Sequence, residues 1–411
     1  MKRLYGFIVV LLLLSLALPL SAQGTKDMAG DSVTLTMGSW RTDDVEQMNR
    51  LLAEYKKVAP NVSIKFQPTN PPDYNATLRL QLDSKTGPDL MYARSYAAGQ
   101  ELFNAGYFAD CSDITGLKEN FSASNRAPWQ MPDGTQFAVP FAAVSHAVYY
   151  NKDIFRKEGL TIPQTWEEFL TLNAKLKSRG YTPIANGLAD EWDIFETFFL
   201  GLLPNFIGGA EQRVKYETGA LKMNDAAFVR AYQAMADVAQ YCPSGFEAVT
   251  YNDSQILFNS QKAVMFVDGS WTVGVYDDAT FSWGIFALPA PKGNKTAITF
   301  HPDMAITMNK NTAHPREAEA FLAWLCTEEG ATKASQNLPS GFFPMIKFAI
   351  TLENPHANEF LALNAGKQTD ARFVWPTLMD LYSPMDQAVI KVMKGDITAK
   401  QAADSIQKLM E

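Results

Sequence analysis

Cysteine is scarce in this 411-residue chain: Cys111, Cys242 and Cys326 are three in all, far apart and odd in number, so at most one disulfide can form. A chain of this length buries a sufficient core without bridges. Cys326, in FLAWLCTEEG on an apolar helical face, is read as core, while a bridge between Cys111 and Cys242 stays open. Basic runs never exceed two residues and the formal charge is −8, which argues against nucleic acid and anionic membranes as partners. The four histidines, 146, 301, 314 and 356, are too dispersed for a local metal site. G-x-S-x-G, the P-loop, H-E-x-x-H and C-x-x-C are all missing, and no cofactor is expected. An exported glycoside hydrolase is not excluded by inspection, because 44 acids supply many carboxylate pairs.

Long apolar runs are also lacking, with one short exception. Phe7 to Leu18 falls below the roughly 20 residues that span a bilayer. It follows Lys2-Arg3 and leads through Pro19 to Ser21-Ala22, the pattern of a secretory signal peptide (residues 1–22) cleaved after Ala22. No cysteine near that point offers a lipid anchor. The product is expected in the periplasm or another extracytoplasmic space, its charge moved from −8 to −10 by the loss of Lys2 and Arg3.

What is present reads as α/β. VTLTMGSW alternates like a strand; Val45, Met48, Leu51, Leu52 and Tyr55 recur at helical spacing; NVSIKFQP follows as a second strand. Such βαβ units imply a parallel sheet. The length exceeds what one core usually holds, so two lobes are expected. PFAAVSHAVYYNKDIFRKEGL (140–160) then runs as buried extended chain, with a proline inside it, into a helix from Lys152 to Lys157. It is either a buried central strand or a crossover between lobes, its small residues Ala142, Ala143 and Ser145 absorbing rotation.

The stretch from Pro140 to Lys157, with Tyr150-Asn151, Phe155 and Lys157, resembles the signature of the family 1 extracellular solute-binding proteins of ABC importers. GPDLMYA (87–93), IPQTWEEF (162–169), QKAVMFVDGSW (261–271), WGIFALPAPKG (283–293) and MKGDITAKQAADSIQKL (393–409) lie in the order that resemblance requires. It implies the periplasmic binding protein fold: two open α/β lobes, a ligand cleft between them and hinge strands crossing. Lobe I would hold 23–143 plus 290–338 and lobe II 144–289 plus 339–411, with a hinge at Ala143 to Ser145. The chain would return near Phe286 to Pro291 and cross again near Leu338 to Phe343. The same resemblance implies delivery of the ligand to the permease subunits of an importer, and a hinged monomer is the simplest expectation. The chain departs from the maltose-binding pattern at Ala93, where an aromatic stands, and at Val144, where a hinge glutamate stands.

Ligands of open parallel sheets sit beyond the carboxyl ends of strands. Those ends carry Trp40, Arg41 and Asp43 after the first strand and Arg94 after the third. NGLADEWD offers Asp190, Glu191 and Trp192, and Gly269-Ser270 brings out Trp271, where the resemblance puts a stacking aromatic. Trp375, His146, His301 and Asp303 complete the candidates. Tryptophans beside carboxylates suit a sugar, whose C–H face covers an aromatic ring while its hydroxyls need paired donors and acceptors. An anionic cargo, a glycerol phosphate or a metal complex, would instead call for several arginines, for which Arg41, Arg94 and Arg372 are available. Trp166, Trp324 and Asp89 are read as structural.

Overall fold

A computed structural model describes residues 32–411 except Glu191 and Thr351, so the signal segment and the Glu191 candidate lie outside the described residues. Ten strands form the sheet: β1 (Val33–Ser39), β2 (Val62–Pro68), β3 (Leu90–Ala93), β4 (Val139–Asn151), β5 (Thr182–Ile184), β6 (Ala263–Gly269), β7 (Trp283–Phe286), β8 (Ala297–Met308), β9 (Phe343–Pro344) and β10 (Gln368–Asp370). The main path runs β2-β1-β3-β8-β4-β6-β5, with β10 on β8 and both β7 and β9 on β4. β1, β2 and β3 are parallel, as the βαβ pattern predicts, and β5 is parallel to β6. β8 runs antiparallel to β3 and β4, and β4 antiparallel to β6 and β7, while β10 lies parallel to β8, so the sheet is mixed rather than parallel. A strand that brings the chain back must oppose the one that carried it out.

β4 makes the crossing. All thirteen of its residues are buried. Val139 to Ser145 pair with β8, and His146 to Asn151 pair with β6 and β7. The pairing with β8 slips between Pro140 and Ala143, at the proline and the small residues. Apolar side chains divide along the same line. One core gathers Leu35 to Val144 with Met304 to Ile346; a second gathers Val148 to Leu288 with the C-terminal helices; a third lies around Tyr149, Phe266 and Phe360. Phe286 and Leu288, in the stretch expected to return, stay with the second core, and β8 makes the return. The chain passes again at β9, with Phe342 just before it in the first core and Phe343 in the third.

The abrupt stop of β4 has a local cause. Asn151 Oδ1 accepts from the N–H groups of Asp153 and Ile154, both at 2.9 Å, and so caps the helix Lys152–Lys157. Asp89 is structural: it accepts from the Thr36 N–H and hydroxyl and from Thr312, tying β1 to the turn after β8. Trp166 and Trp324 are buried as core. The three cysteines are free thiols, which closes the question of a Cys111–Cys242 bridge.

Candidate functional site

A cavity of about 540 Å³ opens where the strand ends of the first core face the second. Trp40, Arg41, Arg94, Asp190, Trp192, Trp271, Asp303 and Trp375, all expected from the sequence, line it. His146 and His301 do not; they are buried directly behind the wall, at 3% and 1% exposure. Asp43 stays outside and is exposed, because the next residue, Asp44, is the one turned inward to take Arg41.

One wall is aromatic. Trp271 follows β6, and its ring folds back over Gly269, where an added Cβ would stand 1.9 Å from Cζ3; only glycine leaves that room. Its Nε1–H donates to the Tyr251 hydroxyl at 2.7 Å, which donates to buried Asp268 at 2.9 Å. Burial pushes the Asp268 carboxyl and the Tyr251 phenol well above their ordinary values. Trp192 packs against Tyr251 at a tilt of 51°, with ring centroids 4.0 Å apart, and lies 6.3 Å from Trp271. Both tryptophans are half-buried, which leaves ring surface for a ligand.

Trp40 is different. It is 4% exposed, wedged edge-on against Tyr74 and Tyr92, and the Arg94 guanidinium covers its face at 3.7 Å. The expectation that it offers a stacking face gives way to a platform role, because a cation already occupies that face. Trp375 is also buried, between Arg94 and Arg372.

The polar wall is charge-compensated. Arg41 meets Asp44 at 2.6 Å, Arg372 meets Glu196 at 2.8 Å, and Arg94 and Arg372 share Asp303 at 3.9 and 3.6 Å. Asp190 accepts from the Tyr251 N–H at 2.7 Å and has no cationic partner among the described residues. Asp190 thus satisfies the first N–H of the helix Tyr251–Asn259, which Thr250 caps, and also lines the cleft. Burial lowers Arg94, and Asp303 opposes the shift.

Sequence reasoning missed Glu196, Asn75, Phe342, Met379 and Tyr382, which also line the cavity, and took Arg372 only as a possible anion ligand. Glu196 had a signal, a lone acid inside the apolar run IFETFFL. That run forms a π-helical turn, Asp193–Phe199, a widened geometry often found at functional sites. The Tyr382 hydroxyl donates to Glu196 at 2.7 Å, so this acid gathers the wall from two distant segments. Among the described residues no group of three or more His, Cys, Asp or Glu could hold a metal ion, and no helix is long and apolar enough to cross a membrane.

Comparison with known proteins places this geometry. The chain is 26% identical over 318 residues to a multiple sugar-binding protein of Streptococcus mutans, covering 74% of this chain and 73% of that one. It is 24% identical over 345 residues to the sn-glycerol-3-phosphate-binding periplasmic protein UgpB of Rhizobium meliloti, covering 79% and 76%. A solved chitin oligosaccharide binding protein superposes with a TM-score of 0.79 at 21% identity, over 92% of this chain and 98% of that one. The model of the bacterial extracellular solute-binding proteins matches residues 38–332, and the chain belongs to that family.

Proposed function

We propose that this protein is an exported receptor that closes on an uncharged sugar or short oligosaccharide and delivers it, chemically intact, to the permease of an ABC importer. One observation carries the reading. Every guanidinium in the cleft wall already has a carboxylate within 4 Å, while Trp192 and Trp271 leave ring surface open beside them. Fixed, neutralised ion pairs offer donors and acceptors to hydroxyls, and the rings take the C–H face. A phosphate needs free positive charge, and the cleft instead carries Asp190 without a counter-ion among the described residues, which disfavours the glycerol phosphate alternative. The multiple sugar and chitin oligosaccharide names of similar proteins support the same class.

A ligand that touches both walls favours the closed arrangement and shifts the population toward it. We place the hinge at Ala142 to Ser145, where β4 changes partners. The receptor acts as a monomer outside the cytoplasm, once residues 1–22 are removed. A thermal-shift screen against mono- and oligosaccharides, with sn-glycerol 3-phosphate as the anionic control, tests the reading. A ligand at about 100 times Kd adds roughly 2.7 kcal/mol to the folded state. Stabilisation by a sugar and none by the phosphate supports the proposal, and the reverse pattern refutes it.

A further inference from the structure

We propose that His146 and His301 are positioning residues for the ligand: both imidazoles act as neutral acceptors that hold Arg372 in the cleft wall. The inference rests on the cleft being the sugar site, and it assigns a role to two buried groups that never touch the sugar.

Arg372 follows β10 and is 3% exposed. Its Nε–H donates to His146 Nε2 at 3.3 Å, and its main-chain N–H donates to His301 Nδ1 at 3.5 Å. Nη1 then reaches Glu196 at 2.8 Å. A guanidinium has no acceptor, and neither does an N–H. Both imidazole nitrogens must therefore present lone pairs. For His146 this fixes the proton on Nδ1, and Nδ1 faces the Thr197 carbonyl at 3.2 Å, which accepts it. For His301 it fixes the proton on Nε2, which is buried without a partner among the described residues. Glu196 and Asp303 both reach Nη1 and so hold one edge of the guanidinium; the two rings hold its base and its main chain.

Position on the fold gives the pair its reach. His146 and His301 lie on β4 and β8, the strands that cross between the cores, and His301 pairs with Val144 at the crossing. Gly201 lets the helix Leu200–Ile207 lie against this point, since a Cβ there would stand 3.3 Å from His146 Nδ1. The Trp271 ring meets His146 edge-on at 5.5 Å, and Trp375 meets His301 at 5.2 Å. The groups that lean on these rings thus include both a stacking aromatic and the guanidinium of the site.

A carboxylate in either place would also accept from Arg372, but it would overcharge a wall that is already compensated. A protonated imidazole would set N–H against N–H and add a cation beside Arg372. Among the described residues the charged group facing His146 is Arg372, and those facing His301 are Arg372 and Arg94, with His146 nearby on β4 and Tyr96 on the other side. Glu196 and Asp303 engage Arg372 rather than either ring. Burial first, then Arg372, holds both imidazoles well below their ordinary value, consistent with the bonding.

Two measurements test the inference. In the ligand-free protein, two-bond nitrogen–proton NMR spectra of the histidine rings at pH 6 should show His146 neutral with its proton on Nδ1 and His301 neutral with its proton on Nε2. A charged ring or the opposite tautomer at either position overturns the proposal. Titration calorimetry with the best sugar from the screen should show His146→Leu binding at least about tenfold more weakly and His146→Gln, which keeps an acceptor, recovering most of the loss. If wild type, His146→Leu and His146→Gln bind alike, the positioning role is refuted and the sugar reading stands. If the tautomers are as stated but no sugar binds wild type, the sugar reading has failed and the role assigned to the rings falls with it.

Discussion

Replacing Trp271 by alanine removes one of the two rings that the cleft leaves partly open to a ligand. An indole buries about 150–250 Å² in full contact. One side of Trp271 is already taken by Gly269, and the Arg372 guanidinium lies over the ring 5.4 Å from its centroid, farther than the 3.7 Å of Arg94 on Trp40. A sugar on the surface left open would cover at most about 80–100 Å², worth up to about 2–2.5 kcal/mol at ~25 cal/mol/Å². That predicts a rise in Kd of up to about 30- to 70-fold. Stability should fall less than the roughly 3–5 kcal/mol typical of a fully buried tryptophan, because this one is only partly buried and Tyr251 keeps its bond to Asp268. Trp271→Phe, which keeps a ring, should lose less than about tenfold. Titration calorimetry gives the affinities, and thermal unfolding followed by circular dichroism gives the stabilities. A Trp271→Ala protein that binds within twofold of wild type, or one that does not fold, refutes the stacking role.

Gly269→Ala should weaken the sugar without adding any contact to it, since the new Cβ must push the Trp271 ring out of place; calorimetry and a changed tryptophan emission spectrum report both. Asn151→Ala should cost about 1–2 kcal/mol in chemical denaturation by uncapping its helix, yet leave sugar affinity unchanged. The buried Asp193 carboxyl is pushed up to about 7 by burial, opposed by the Gly187 N–H, Asn186 and Ser254. An acid raised on folding stabilises fully below its ordinary value of 3.8 and loses that contribution as pH rises through about 7, so the melting temperature of Asp193→Asn should depend less on pH between 4 and 7 than that of wild type. For His146 and His301 the sign is opposite: lowered on folding, they stabilise above about pH 6.5 and lose that contribution as pH falls toward their depressed values, so His146→Gln should lose less stability in acid.

Much of this was legible in the residues because it depends on neighbours in the chain. β1 and its following helix, the buried run of β4 and the cap at Asn151 are all local patterns, and they appear where periodicity and capping chemistry put them. The antiparallel insertion of β8 between β3 and β4 is not local, and alternating hydrophobicity cannot reveal a partner. The cleft shows the same divide. Trp271 was marked by the Gly269-Ser270 turn before it. Trp40 carried the same turn-side placement, but its role was decided by Arg94, more than fifty residues away in the chain. Arg372 meets partners 71 and 226 residues distant, so neither its orientation nor the purpose of His146 and His301 could be read from spacing. Glu196 was hidden by surroundings that look like plain core.

Capture without conversion is tested most directly by equilibrium dialysis of the purified protein against the best sugar from the screen, with the sugar recovered from both sides analysed. One sugar retained per chain, unaltered after prolonged incubation and not displaced by sn-glycerol 3-phosphate, is the predicted result. Cleaved sugar, or retention of the phosphate in its place, would contradict the account.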